Sequence, residues 1–314
     1  MTKPLRVIAW EVTRRCPMAC QHCRGASRDT CYDNELTTAE AIRVMESIVR
    51  ATPPPARLPL IIFTGGEPMY REDLTELVRH ATQMGFPAVL APCGRFATQE
   101  RLRELKAAGI RALSLSIDGA TAETHDAFRG VSGAFQMARE AMAAAHAVGL
   151  PFQLNHTLTR EGLPHLRAMR DFAVQCGATR LDVFFLVPVG RGKALSEHCL
   201  TDEETSAALN EILTLDDEGV LPIHVTCEPR ILSVAQTRAQ PPKSPCNGCM
   251  AGAGFLFLGH TGTLQPCGFF DLPLGNVREY DFDLPKTLAA SKSYAALKGG
   301  PICLARHRAQ HAQE

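Results

Sequence analysis

RVIAWEVTRRCPMACQHC, residues 6–23, joins two patterns that together decide how this chain folds. The opening RVIAWEV reads as a short apolar strand, and Cys16, Cys20 and Cys23 follow it with the spacing C-x3-C-x2-C. The cysteines therefore stand in the loop that leaves the strand's C-terminal end. Four thiolates close an iron-sulfur cluster; three leave one iron with a free position, and an open position separates a reactive metal from a structural one. Three unrelated loop cysteines, or a zinc site completed by His22, are the alternatives that the spacing alone leaves open.

Outward from this stretch the same unit recurs. TTAEAIRVMESIVR (37–50) opens with Thr37 three residues before Glu40, a capping box, and places Ile42, Met45, Ile48 and Val49 on one helical face. LPLIIF (58–63) is a continuous apolar run, as expected of a strand covered on both faces. Four further helical patterns and their strands follow, with Gly85, Gly109, Gly149 and Gly177 placed where a helix must stop in a left-handed conformation. The runs after these glycines are PAVLAP, RALSLSI, FQLNHTL and RLDVFFLV. Each intervening segment is long enough for a right-handed crossover, so the strands are expected to lie parallel. Six strands are counted up to Val187, and TDEETSAALNEIL (201–213) supplies a further capped helix. Repeated βα units predict an α/β fold with a barrel-like sheet, open or closed, whose site is formed by loops at the strands' C-terminal ends.

The pattern breaks near Pro241, in PPKSP (241–245). Residues 236–314 read as a small loop-rich module appended to a core of residues 1–235, with too little core of its own and a metal cluster as its staple. The chain carries 33 basic and 33 acidic residues, and no basic run, so nucleic-acid and anionic-membrane binding are not expected. No apolar stretch approaches the roughly 18 residues of a membrane helix, and the N-terminus lacks a secretory pattern, so the expected location is the cytoplasm. Twelve cysteines in such a chain argue for metal or catalysis over disulfides. Besides the first three, Cys246, Cys249 and Cys267 form a second group, with Cys303 a candidate addition. Cys31, Cys93, Cys176, Cys199 and Cys227 have no ligand spacing and read as small half-buried hydrophobes.

The C-x3-C-x2-C loop after the first strand resembles that of the radical S-adenosylmethionine (SAM) superfamily, whose core is a partial (β/α)6 TIM-like barrel. The resemblance implies a [4Fe-4S] cluster on Cys16, Cys20 and Cys23. Its fourth iron would be chelated by the methionyl amine and carboxylate of SAM, and one electron would cleave the sulfonium to a 5'-deoxyadenosyl radical. TGGEP (64–68) looks like the family's GGE motif, with Gly65 and Gly66 allowing close backbone approach and Glu67 able to accept from an ammonium group. SLSIDG (114–119) carries Ser116 and Asp118, which by resemblance contact the ribose and methionyl part of SAM. Arg129 in HDAFRG matches an arginine that pairs with the SAM carboxylate, a bidentate role. Asn155 and the backbone of Leu186, Val187 and Pro188 match positions that hold the ribose and adenine. His125 and His156 read as solvated or core-satisfied.

CNGCMAGAGFLFLGHTGTLQPC (246–267) could, alone, bind zinc or do redox work. Beside a radical SAM core it resembles the auxiliary-cluster modules called SPASM and twitch, with a hairpin turning at HTGT (260–263). SPASM modules end in a dense run of cysteines, whereas this chain offers only Cys303. The expectation is therefore one auxiliary [4Fe-4S] cluster on Cys246, Cys249 and Cys267, with Cys303 a possible fourth ligand.

WEVTRRCPMACQHCRGAS, IIFTGGEPMYREDL, SLSIDGATAETHDAFRGVSGAF and FFLVPVGRGK are similar to the branch of the superfamily holding the heme b synthases of the alternative, siroheme-dependent heme pathway. That implies oxidative decarboxylation of the propionates of iron-coproporphyrin III to vinyl groups, with a reducing donor such as a flavodoxin or ferredoxin. Arg191 in GRGK could pair with a substrate carboxylate or cap the barrel rim. Maturation of a ribosomal peptide is the alternative, for which a winged helix would be expected ahead of the first strand, where Met1 to Leu5 leave no room. A non-catalytic iron-sulfur or SAM-binding protein is a third reading, weighed against by the intact motif set.

Overall fold

The computed structural model describes residues 5–238 and 241–311. Residues 1–4, part of the stretch considered for a recognition module, lie outside the described residues, as do 239–240 and 312–314.

The chain alternates strand and helix through its first two thirds: β1 (Val7–Glu11), α1 (Thr38–Arg50), β2 (Leu60–Thr64), α2 (Leu74–Gln83), β3 (Ala88–Leu90), α3 (Gln99–Ala108) and β4 (Leu113–Ser116). Two helices, α4 (Ala122–Arg129) and α5 (Ala134–Ala147), precede β5 (Phe152–Leu158), followed by α6 (Leu166–Gln175), β6 (Leu181–Phe185), α7 (Asp202–Asp217), β7 (Ile223–Thr226) and α8 (Ile231–Gln236). The last third adds β8 (Phe255–Leu258), β9 (Thr263–Gln265), β10 (Gly275–Asn276), α9 (Leu284–Ala290), α10 (Lys292–Ala296) and α11 (Leu304–His311).

Local chemistry sets the boundaries. Thr37 and Glu40 form the expected capping box at α1, and Thr201 with Glu204 repeats it at α7. Gly85, Gly109, Gly149 and Gly177 all take positive φ, between 61° and 112°. The buried face of α1 is Ala41, Val44, Met45, Ser47 and Ile48. Ile42 and Val49, expected on that face, are half-buried and pack against the core from its edge.

The strands form one sheet in the order β10-β9-β8-β1-β2-β3-β4-β5-β6-β7. Every pair from β8 to β7 is parallel, and β9 and β10 complete an antiparallel edge. The barrel is therefore partial, with β10 and β7 as its open edges. Two features were not expected. β7 extends the parallel series beyond six strands, and its short IHVT gave no strand signal of its own. The C-terminal module is continuous with the core, since β8 pairs with β1 along Val7↔Phe255 to Trp10↔Leu258. Burying that edge satisfies the β1 backbone and gives the small module a core it could not assemble alone.

Each strand presents alternate residues to the helices and to the inner face. On β5, Phe152, Leu154, His156 and Leu158 are buried in the helix layer, while Gln153, Asn155 and Thr157 are half-buried on the other side. The inner face is divided. Phe257, Ala9, Ile62 and Val89 line it on β8 to β3, with Glu11 and Thr64 at the strand ends, whereas Ser114, Gln153, Asn155, Asp182 and His224 line it on β4 to β7, with Phe184 among them.

Candidate active site

The thiol loop between β1 and α1 is held from several sides. From β2, the Gly66 N–H donates to the Thr13 carbonyl and the Glu67 N–H to the Arg15 carbonyl, each at 2.8 Å. A Cβ on Gly65 would lie 2.3 Å from the Thr13 oxygen, and one on Gly66 2.4 Å from the Arg14 and Arg15 oxygens. The two glycines expected to admit a ligand thus admit the cysteine loop's own backbone. From the β6 side, Arg191 Nε donates to the Cys20 carbonyl at 2.8 Å and Nη1 to the Ser27 carbonyl at 2.6 Å. Of the two roles considered for Arg191, this geometry is that of a rim residue tying down the loop. Gly190, at φ +59°, completes the contact: a Cβ there would meet the Arg24 oxygen at 2.2 Å.

Cys16 is buried, while Cys20 and Cys23 are half-buried. Cys16 and Cys20 share a pocket with Met18, Cys93, Val131 and Ala134. Burial, with the charge of Glu67 nearby, pushes the Cys16 thiol up to about 12, and burial raises Cys20 as well, against the pull of Arg129. Cys16 and Cys20 resist ionisation on their own, and three thiols in a loop fixed by backbone contacts fit a metal cluster whose charge favours thiolate.

Asp118 and Arg129 meet beside this loop. Arg129 Nε and Nη2 donate to Asp118 Oδ2 at 3.0 and 2.9 Å, and Nη1 lies 3.7 Å from the Cys20 sulfur. Asp118 Oδ1 accepts from the Thr157 N–H at 2.8 Å, and the Asp118 N–H donates to His125 Nδ1 at 2.9 Å. Burial alone would raise the Asp118 carboxyl, but the Arg129 guanidinium, with the neighbouring histidines, holds it well below the usual carboxylate range. Arg129, expected to face a carboxylate of SAM, thus already has a carboxylate partner within the protein, and its third nitrogen is turned to the thiols. His22 stacks on Phe128 with ring centroids 4.7 Å apart and lies 3.7 Å from Asp118. Burial depresses it to about 4, so it is neutral at physiological pH.

Glu67 is fully buried. Its carboxylate accepts from the Met69 N–H at 2.8 Å and the Cys93 N–H at 2.5 Å, and burial raises its pKa. Ser116 is half-buried on the inner face two residues before Asp118. Asn155 is bound to Ser114 and Gln153 in the polar row. The Leu186 carbonyl accepts a weak bond from the Cys199 thiol at 3.8 Å, and the Val187 carbonyl accepts from the Val189 N–H at 2.8 Å.

Sequence reasoning missed the buried group at the end of β1. Glu11 is bonded to His260 Nδ1 at 2.8 Å and to Arg14 Nε at 3.1 Å, with Arg24 Nη1 at 3.5 Å. Burial would raise this carboxyl, yet the His260 hydrogen bond and the two arginines bring it down to about 2. Arg24 also lies over the Phe257 ring at 4.2 Å, so the group joins β1, the thiol loop and the C-terminal hairpin. Glu11, Arg14 and Arg24 lie close together in the chain, but His260 is 249 positions from Glu11, and nothing in the sequence links the two.

In the C-terminal region, Cys249, Cys267 and Cys303 come together. Cys249 is bridged through its backbone to Gly300, three residues before Cys303, and Cys267 shares an apolar cluster with Cys303. Cys246 does not join them: it packs against the main core beside Ser244, near Asp216. Cys227, read as a bland hydrophobe, does join them, packed in the same cluster. Among the described residues no three His, Cys, Asp or Glu are gathered to hold a single metal ion. A cubane gives each thiolate a separate iron and so needs its thiols further apart than one ion does.

These features are those of one enzyme class. The chain belongs to the radical SAM superfamily, whose family model matches residues 10–173. It is an enzyme of that class, with S-adenosylmethionine and a [4Fe-4S] cluster as its cofactors. An AdoMet-dependent heme synthase of Oleidesulfovibrio alaskensis is 39% identical over 288 residues, covering 88% of this chain and 73% of that protein. An AdoMet-dependent heme synthase of Methanosarcina barkeri is 36% identical over 293 residues, covering 90% of this chain and 82% of its own length. Streptococcus suis SuiB bound to S-adenosylmethionine shares the fold, with a TM-score of 0.72 at 13% identity over 94% of this chain and 68% of SuiB. Among the described residues no helix is long and apolar enough to cross a membrane.

Proposed function

We propose that this enzyme makes heme from iron-coproporphyrin III by converting propionate side chains to vinyl groups. The observation that carries the reading is the 39% identity to a named AdoMet-dependent heme synthase along most of both chains. The inner face supports it: its apolar stretch on β8 to β3 suits a macrocycle. Residues 1–235 form the catalytic core and residues 236–314 the auxiliary module.

Cys16, Cys20 and Cys23 hold the catalytic cluster, braced by Gly65, Gly66 and Arg191. When bound, the cluster and SAM supply a one-electron cleavage whose 5'-deoxyadenosyl radical takes hydrogen from an unactivated carbon. Arg129 sets the positive field beside Cys20 and the methionyl group, and Asp118 fixes its orientation. Ser116, Asn155 and the backbone at Leu186 and Val187 border the nucleoside. Glu67, fixed by two backbone N–H groups, orients the turn that faces the methionyl amine.

In each conversion the propionate loses one hydrogen atom, one electron and CO2. The hydrogen ends on 5'-deoxyadenosine, and the electron leaves to an external acceptor. A flavodoxin or ferredoxin supplies the electron for SAM cleavage. Cys249, Cys267 and Cys303 belong to an auxiliary [4Fe-4S] cluster, so full reconstitution gives about eight irons per chain.

The test is anaerobic reconstitution and reduction, with 5'-deoxyadenosine measured with and without iron-coproporphyrin III. Heme together with stoichiometric 5'-deoxyadenosine is expected. Cleavage of SAM without any vinyl product would sink the porphyrin reading and keep the radical one. No cleavage, with iron content verified, would favour a non-catalytic binding protein.

A further inference from the structure

Cys227 follows β7 directly, in a segment with no metal-binding spacing, and its backbone lies in the left-handed region at φ +66°. For a residue with a Cβ this costs about 1 kcal/mol, which glycine would avoid. A thiol at such a position is retained against the local preference of the chain, and its surroundings suggest why.

Four segments converge there. The buried Glu228 is paired with the buried Arg306, which fastens the residue after Cys227 to α11, just beyond Cys303. The Cys249 N–H donates to the Gly300 carbonyl at 2.8 Å and the Gly300 N–H returns a bond at 3.1 Å, which fastens Cys249 to the same segment. The Gly252 N–H donates to the Pro266 carbonyl at 3.2 Å, which brings the residue before Cys267 alongside. As a result Cys303 and Cys227 share one buried apolar cluster, and Cys249 is bridged to Gly300, three residues before Cys303. Cys267 lies in the same cluster, among Val187, Phe269 and Phe270. Cys246, three residues before Cys249, lines a different cavity with Leu213, Asp216, Val225 and Ile231.

We infer that the auxiliary cluster is ligated by Cys227, Cys249, Cys267 and Cys303, and that Cys246 is not a ligand. The inference rests on the auxiliary-cluster reading above and replaces the C-x2-C pair that spacing suggests with a thiol delivered by the strand after β6. Four thiolates from four segments fill the cluster's protein positions, in contrast to the three of the first loop.

The test uses the full chain carrying Cys16→Ala, Cys20→Ala and Cys23→Ala, so that only the second site can take up iron. This parent is expected to hold about four irons per chain. Cys227→Gly is the informative variant, because glycine suits the backbone there and the apo-protein should melt no lower than the parent. Added to the parent, it should reduce iron uptake or change the reduced cluster's paramagnetic resonance spectrum; Cys246→Ala should leave both unaltered. In the reconstituted chain without substitutions, iodoacetamide mapping should show Cys227 protected until iron is removed, with Cys246 labelling indifferent to iron. An unaltered spectrum and iron content in Cys227→Gly, or a changed one in Cys246→Ala, overturns the assignment. A parent that takes up no iron removes the auxiliary-cluster reading itself, before either variant is compared.

Discussion

Cys16, Cys20 and Cys23 lie within one loop, whereas Cys227, Cys249, Cys267 and Cys303 are delivered by separate segments of the last third of the chain. In the first group the spacing of neighbours along the backbone sets the thiols, and Gly66, Gly190 and Arg191 only fix the loop as a body. In the second, no two thiols are closer than eighteen positions apart in sequence, since Cys249 and Cys267 are its nearest pair. Its geometry exists only while the Glu228–Arg306 pair, the Cys249–Gly300 bridge and the β8–β9 hairpin are all formed. A locally built site should therefore tolerate loosened tertiary packing better than one built from distant segments.

The largest effect should come from the first loop. Cys20→Ala removes a proposed cluster ligand and the sulfur beside Arg129, and 5'-deoxyadenosine formation should fall to background, while iron at the second site persists. Loss of all iron in that variant would break the distinction between independent sites.

Arg306→Met leaves Glu228 buried with only Arg230 to pair with. An uncompensated buried charge would cost about 3–5 kcal/mol; with Arg230 still paired the cost is smaller, and the melting temperature and the second site's iron should drop together. Substrate-independent SAM cleavage should be affected less, and an equal loss would contradict the comparison.

Glu11 is where the two regions touch, through Arg14 and Arg24 on one side and His260 on the other. Its folded pKa lies below the ordinary value, at about 2 against 4.5. The stabilisation from its charged form, about 3 kcal/mol, is therefore complete above pH 4.5 and is lost as pH falls toward about 2. Denaturant titration of the apo-protein should show this slope, and Glu11→Gln should flatten it while lowering stability at neutral pH. An unchanged slope would mean that the carboxylate does not join the regions.

The smallest effect sharpens the comparison from outside both sites. Thr37→Ala removes the cap of α1 and should cost about 1 kcal/mol in a denaturant melt, with iron content and SAM cleavage unchanged. A loss of iron would show that the helix following the first loop also sets its thiols.

The parallel repeat was legible because each of its signals is local. Thr37, Thr201 and the left-handed glycines mark helix ends, and apolar runs such as LPLIIF mark buried strands. β7 was not legible, since IHVT is short and only one of its residues is buried. Nor was the pairing of β8 with β1, because nothing in FLFL specifies which edge it covers. In the site, the GGE and Asp118–Arg129 positions could be located, but the partners they take could not. Gly66 serves the cysteine loop of the neighbouring strand, and Arg129 serves Asp118 eleven positions before it.

The sequence by itself determined the βα order, the helix caps and the first thiol loop, because each rests on residues a few positions apart, where covalent geometry fixes distance. Tertiary structure alone decided that the C-terminal strands extend the core sheet, that Cys227 rather than Cys246 stands with Cys249, Cys267 and Cys303, and that Glu11 meets His260. Those contacts depend on how buried surfaces and buried charges find partners across the fold, and chain spacing carries no record of that choice.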